Sequence, residues 1–204
     1  ANYALSSLAR NAIFTGNMQL AVERHAQVSA AARLQGDDRL FAVIQNNLAE
    51  CEFAVGNLAR AVEIGRQNVA RDRSNRDSSA LCWAQTNLAA YLFCAGEVDE
   101  AHIMANEALR RAIDTQVSVL ISGAIQHLAS VAAARGDSER AALLLGFTNA
   151  LFVASMPREH TEQREYDIAK GMLENLLGEQ RLNELLQRGT VMTQDQAVAD
   201  ALSI

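Results

Sequence analysis

The stretch NLAECEFAVGNLARA, Asn47 to Ala61, returns forty residues later as NLAAYLFCAGEVDEA, Asn87 to Ala101. Looser copies stand at SLARNAIFTGNMQLA from Ser7 and HLASVAAARGDSERA from His127. Aligned, they yield four series stepping by 40: Leu8, Leu48, Leu88, Leu128; Ala9, Ala49, Ala89, Ala129; Gly16, Gly56, Gly96, Gly136; and Ala21, Ala61, Ala101, Ala141. Each glycine precedes Asn, Glu or Asp. A fixed period of this size is the mark of a solenoid, in which each unit covers the apolar face of its neighbour.

Within the second copy, Val43, Ile44, Leu48, Cys51 and Phe53 to Val55 fall mostly at helical spacing. Gly56-Asn57 breaks that helix, because glycine readily takes the left-handed conformation at a helix end. Leu58, Ala61, Val62 and Val69 mark a second helix, and the alanine series lets the two approach closely. Longer turns, Gln35 to Asp38 and Arg73 to Asp77, join one hairpin to the next. The expectation is an all-α fold: a right-handed α-α superhelix of four hairpins, approximately 1–36, 37–77, 78–116 and 117–156, followed by capping helices over 157–204.

Composition agrees. The chain has 204 residues, is 50% hydrophobic and 5% aromatic, and contains a single proline, Pro157. Scarce aromatic residues favour helices over sheets. No apolar run reaches the ~18 residues of a membrane span. The formal charge is −6, and Lys170 is the only lysine. An acidic chain without a basic stripe is not expected to bind nucleic acid directly. Cys51, Cys82 and Cys94 are odd in number and lack metal spacing, so they read as buried free thiols of the cytoplasm. The chain begins at Ala1 inside a repeat, and we expect it to be a piece of a larger protein.

Asn47-Leu48-Ala49, then Gly56-Asn57, then Ala61 resembles the tetratricopeptide pattern N-L-[GA]…G-[DN]…A, and the third copy resembles it equally. After Pro157 the period stops. Arg158 to Leu177 reads as one helix ended by Gly178, Leu182 to Leu186 as a short helix closed by Gly189, and Thr193 as the N-cap of Gln194 to Leu202. The sequence Glu139 to Gly146, Tyr166, Leu176-Leu177-Gly178, Gly189, Met192-Thr193 and Gln196 to Leu202 is similar to the C-terminal end of bacterial STAND-class ATPase regulators, including LuxR-type and winged-helix-linked members. Leu182 and Leu186 replace aromatic residues common there. The resemblance implies a non-catalytic sensor module acting in cis on a nucleotide-binding ATPase domain and a DNA-binding domain.

The residues themselves show no chemistry. No phosphate loop occurs. His25, His102, His127 and His160 are scattered without ligand spacing, and His127, at the register of Asn47 and Asn87, reads as structural. The carboxylates and arginines of Glu159 to Asp167 read as a solvated helix face, with Ile168, Met172, Leu173, Leu176 and Leu177 as the apolar stripe of the same helix. Neither an enzyme nor a cofactor or metal site is expected.

What remains is a surface. The resemblance to tetratricopeptide arrays implies that first helices line a concave groove. On that register Arg10 and Ile13, Asn46, Glu50 and Phe53, Trp83, Thr86 and Phe93, and Gln126 and Ser130 line it. Trp83 reads equally as an exposed anchor and as packing between repeats. The expected occupant is a protein, a peptide or a small-molecule inducer; self-assembly stays open. The alternative is a free-standing scaffold or co-chaperone-like adaptor holding peptide in the groove.

Overall fold

The computed structural model describes residues 16–75, 78–154 and 157–204. The expectations on Leu8, Ala9, Arg10 and Ile13 lie outside the described residues. The described residues are helical, without a strand. They form two compact units, 1–76 and 77–204.

The first unit contains α1 (Met18–Gln35), α2 (Asp38–Ala54) and α3 (Leu58–Asn75), with α2 packed on both others. Local chemistry places the ends. Asn17 and Asp37 accept hydrogen bonds from the amides of Leu20 (3.1 Å) and Leu40 (3.0 Å), satisfying donors that a helix start leaves orphaned. Gly56, the predicted break between α2 and α3, has φ +90°. Ala21, Ala49 and Ala61 are buried, as close helix approach requires.

The second unit holds the third and fourth hairpins and the tail. Its helices are α4 (Ser78–Cys94), α5 (Val98–Thr115), α6 (Ser118–Ala134), α7 (Ser138–Ala154), α8 (His160–Leu177), α9 (Glu179–Gly189) and α10 (Gln194–Leu202). Each of α4 to α7 packs on the next, and α4 also touches α6. Gly96 and Gly136, at φ +83° and +84°, turn the two hairpins. The alanine series is again interior: Ala89, Ala101, Ala129 and Ala141 are all buried, with Leu88, Leu109 and Leu128 around them. One link departs from the rule. At the register of Gly36, which ends α1 at φ +66°, α5 ends on Gln116 at φ +55°.

In the tail the repeat geometry changes. Helix α8 lies against α6, α4 and α7, whereas α9 lies chiefly against α7 and α10 against α5, α6 and α7. The crossing of α7 and α9 is a backbone contact. A β-carbon on Gly146 would stand 2.1 Å from the Leu186 carbonyl oxygen, and one on Gly189 would stand 2.0 Å from that of Leu143. Only glycine fits at either position. Thr193 begins α10 as expected, in a reciprocal capping box with Gln196.

The orientation of α8 corrects the sequence reading. Its buried stripe is Thr161, Glu165, Ala169 and Leu173, while Met172 and Leu176 are 37% and 58% exposed. The helix is therefore rotated about one position from the stripe of apolar residues. It begins at His160 rather than Arg158, and Glu159 to Asp167 is no solvated face, because Glu165 points inward. The cause is a set of partners on α6.

Candidate partner-binding face

Helices α4 and α6 are the first helices of their hairpins, and α8 rests on both. Gln126 of α6 donates from Nε2 to the Glu162 carbonyl (2.8 Å) and to Glu165 Oε2 (3.1 Å). His127 Nδ1 meets the same Glu165 oxygen at 2.6 Å, with both side chains out of solvent. Arg158, just before α8, donates to Gln126 Oε1 (2.6 Å) and Asn149 Oδ1 (2.7 Å) and lies over the rings of Tyr166 (4.1 Å) and Phe152 (4.6 Å). Charge, amide and ring contacts thus hold the start of α8 to α6 and α7.

The network is incompletely satisfied. Glu165 Oε1 and Glu162 Oε2 are buried without a hydrogen-bond partner among the described residues. Burial raises the Glu162 carboxyl above its ordinary value, aided by Glu159 and Glu165 and opposed by a backbone hydrogen bond and by His127. Burial also lowers the Arg158 guanidinium. On α4, burial first and then the Glu165 carboxylate push the Cys94 thiol up to about 12. Cys82 is raised as well and sits at 3.5 Å from the Ala108 carbonyl, and Cys51 is pushed up to about 11. None of the three is a thiolate near neutrality.

The predicted groove residues separate into two groups. Phe53, Phe93, Thr86, Gln126 and Ser130 are buried, so their side chains are not open to an outside partner in this arrangement. The reason differs by residue. The Thr86 and Ser130 hydroxyls bond the carbonyls one turn back, Cys82 and Gln126, and the Gln126 side chain is committed to α8. Asn46 and Glu50 are half-buried in the first unit, and Asn46 accepts from Asn68 Nδ2 at 2.8 Å. Trp83 remains 42% exposed on α4. One turn along α4, a β-carbon on Gly123 of α6 would meet the Thr86 methyl at 3.3 Å, so α4 and α6 are drawn together there.

Sequence reasoning missed Arg158 and Glu165. The one visible signal was His127, an ionisable residue at a position that is Asn in the second and third copies. A cleft of about 330 Å³ also opens where α10 meets α5 and α6, lined by Ile113, Gln116, Ser118, Ile121, Gln194, Asp195 and Val198. No group of His, Cys, Asp and Glu among the described residues is arranged to hold a metal ion. No helix among them is long and apolar enough to cross a membrane.

Residues 40–114 match the model of the tetratricopeptide repeat. Two solved structures extend the likeness over nearly all of the chain. Both are crystal structures of the nearly identical TPR-like repeats described for a putative kinesin light chain of Podosopora anserina, one of them a variant with a methionine substitution. Each is 24% identical and covers 92% of both chains, with TM-scores of 0.65 and 0.66. The fold is that of tetratricopeptide repeats. No curated protein matches the chain significantly.

Proposed function

We propose that the chain is a non-catalytic interaction module whose binding face is the α4–α6 side of the second unit, with Trp83 as its outer anchor. The exposure of Trp83 supports this reading: the other predicted positions on α4 and α6 are buried, while the largest side chain of the set stands open. A large amphipathic ring that loses water on contact is a common hot spot of protein interfaces.

The tail suggests the context. Gly146 and Gly189, two letters of the resemblance to STAND-class regulators, are the residues whose backbones meet between α7 and α9. The proposed whole protein is a cytoplasmic bacterial regulator in which this module senses a protein, peptide or inducer and biases a preceding ATPase domain. A free-standing scaffold with the same face is the second reading. The coding sequence upstream of Ala1 separates them: a phosphate-binding loop followed by this chain supports the regulator, and its absence leaves the scaffold. Trp83→Ala should weaken association with the partner while leaving helicity unchanged. Equal association would move the binding face elsewhere.

A further inference from the structure

The way α8 is held differs from the way the rest of the tail is held. Helix α9 is fixed by glycine-to-backbone contact and by buried Leu182 and Leu185. Helix α8 sinks one small and one large apolar side chain completely, Ala169 and Leu173, and turns Met172 and Leu176 outward. Its other fully buried residues are Thr161 and Glu165, with Tyr166, Ile168 and Leu177 half-buried. A seam of this composition gains little from apolar burial. It also carries the cost of removing two carboxylate oxygens from water without hydrogen bonds in return. Breaking this seam restores water to Glu162 and Glu165, whereas breaking the α7–α9 crossing restores nothing of the kind.

The position of α8 adds the second observation. It touches α4 as well as α6 and α7, so it lies across the first helices of two hairpins. That is the proposed partner face. Non-helical residues 157–159 precede α8, and Gly178, at φ +75°, follows it. Both ends therefore sit at breaks in the helix, the first of them tethered by Arg158 to Gln126 and Asn149, contacts that a displaced α8 gives up.

We infer that α8 is a displaceable occupant of the α4–α6 face, and that the external partner is an amphipathic helix of the form Glu-x3-Ala-x3-Leu that takes its seat. This rests on the reading of that face as the partner-binding side. The spacing copies Glu165, Ala169 and Leu173, and the face supplies matching chemistry: the Gln126 amide and His127 as donors to a carboxylate, then a small and a large apolar contact. Binding is then an exchange of helices, and the module is self-restrained until a better-fitting helix competes.

Two measurements on the intact chain test this. Amide hydrogen exchange needs no partner: the α8 amides should exchange about 100-fold faster than those of α7 and α9, through local opening. A labelled peptide with the sequence of residues 158–178 is the binding probe. It should bind the Glu165→Ala chain about tenfold more tightly than the unaltered chain, and adding Gln126→Ala should abolish the gain. Exchange of α8, α7 and α9 in one step, or equal peptide affinity for both chains, would overturn the inference. If Glu165→Ala does not fold, the exchange pattern of the unaltered chain decides alone. Peptide binding unchanged by Trp83→Ala would count against Trp83 as anchor while leaving the helix exchange standing.

Discussion

Gly146 and Gly189 meet where α7 crosses α9: a β-carbon on Gly189 would lie 2.9 Å from the Gly146 Cα. Nothing but hydrogen fits between them. Gly146→Ala or Gly189→Ala should therefore force the helices apart and cost about 3 kcal/mol or more. Gly171 of α8 is the control, since a β-carbon there meets nothing within 4 Å. Gly171→Ala should stabilise by roughly 0.5–1 kcal/mol through helix propensity. Urea unfolding of the three variants checks both signs. Equal small effects at all three would mean that the α7–α9 crossing is looser than described.

Gln116 takes a left-handed conformation that costs a side-chain-bearing residue roughly 1–2 kcal/mol. Gly36 fills the corresponding link in the first unit without that cost. Gln116→Gly should accordingly raise stability by about 1 kcal/mol, less any entropy returned to the unfolded chain. A lower melting temperature would show that the Gln116 side chain makes a contact that outweighs its strain.

Glu162 has a pH signature of definite sign. Its carboxyl is raised above the ordinary 4.5 in the folded state, so the folded chain holds that proton more tightly than the unfolded chain. The stability that this proton confers is present below the ordinary value and is lost as pH rises through the folded one. Glu162→Gln should remove this decline and leave α8 better seated at pH 7. Melting temperatures across pH 4 to 7 would check it. A variant whose curve parallels the unaltered chain would mean that Glu162 is solvated in the folded state.

Truncation after Met156 removes α8, α9 and α10 together. The burial that Leu173, Leu182 and Leu185 supply, worth roughly 1.5–3 kcal/mol each before ordering costs are subtracted, would go with them. The faces of α6 and α7 that they cover would meet water. The expected product melts lower and self-associates on size exclusion. A monomer that melts like the intact chain would show that the tail is dispensable.

The repeats were legible in the sequence because their constraints are local. A glycine at a left-handed turn and an alanine at a close helix approach have no good substitutes, so they recur at Gly56, Gly96 and Gly136 and at Ala49, Ala89 and Ala129. The tail was legible in its boundaries, as Gly178, Gly189 and Thr193 show, but not in its facing. Periodicity alone pointed Met172 and Leu176 inward and left Glu165 in water. The observed rotation is set by His127 and Gln126, far away in sequence, which make an inward carboxylate tolerable. Likewise Gly146 and Gly189 could be read singly, yet nothing in either segment shows that they touch. Trp83 was read both ways, and its 42% exposure favours the surface.

The most direct test of a displaceable α8 uses two cysteines of α4. Cys82 is wholly buried beside α5, whereas Cys94, against the expectation of three buried thiols, is half-buried and is held up at about 12 by desolvation and by Glu165 of α8. Thiol labelling of the intact chain at pH 8 reads both in one experiment. If α8 opens locally, Gln126→Ala, which removes its hold on Glu162 and Glu165, should speed Cys94 labelling about tenfold and leave Cys82 unchanged, because the cover of Cys94 is lost when α8 leaves while that of Cys82 lasts until global unfolding. Excess 158–178 peptide, which refills the seat that α8 leaves, should slow Cys94 and leave Cys82 unchanged. A Cys94 rate unmoved by Gln126→Ala and by the peptide would show α8 to be a permanent part of the core and would contradict the account.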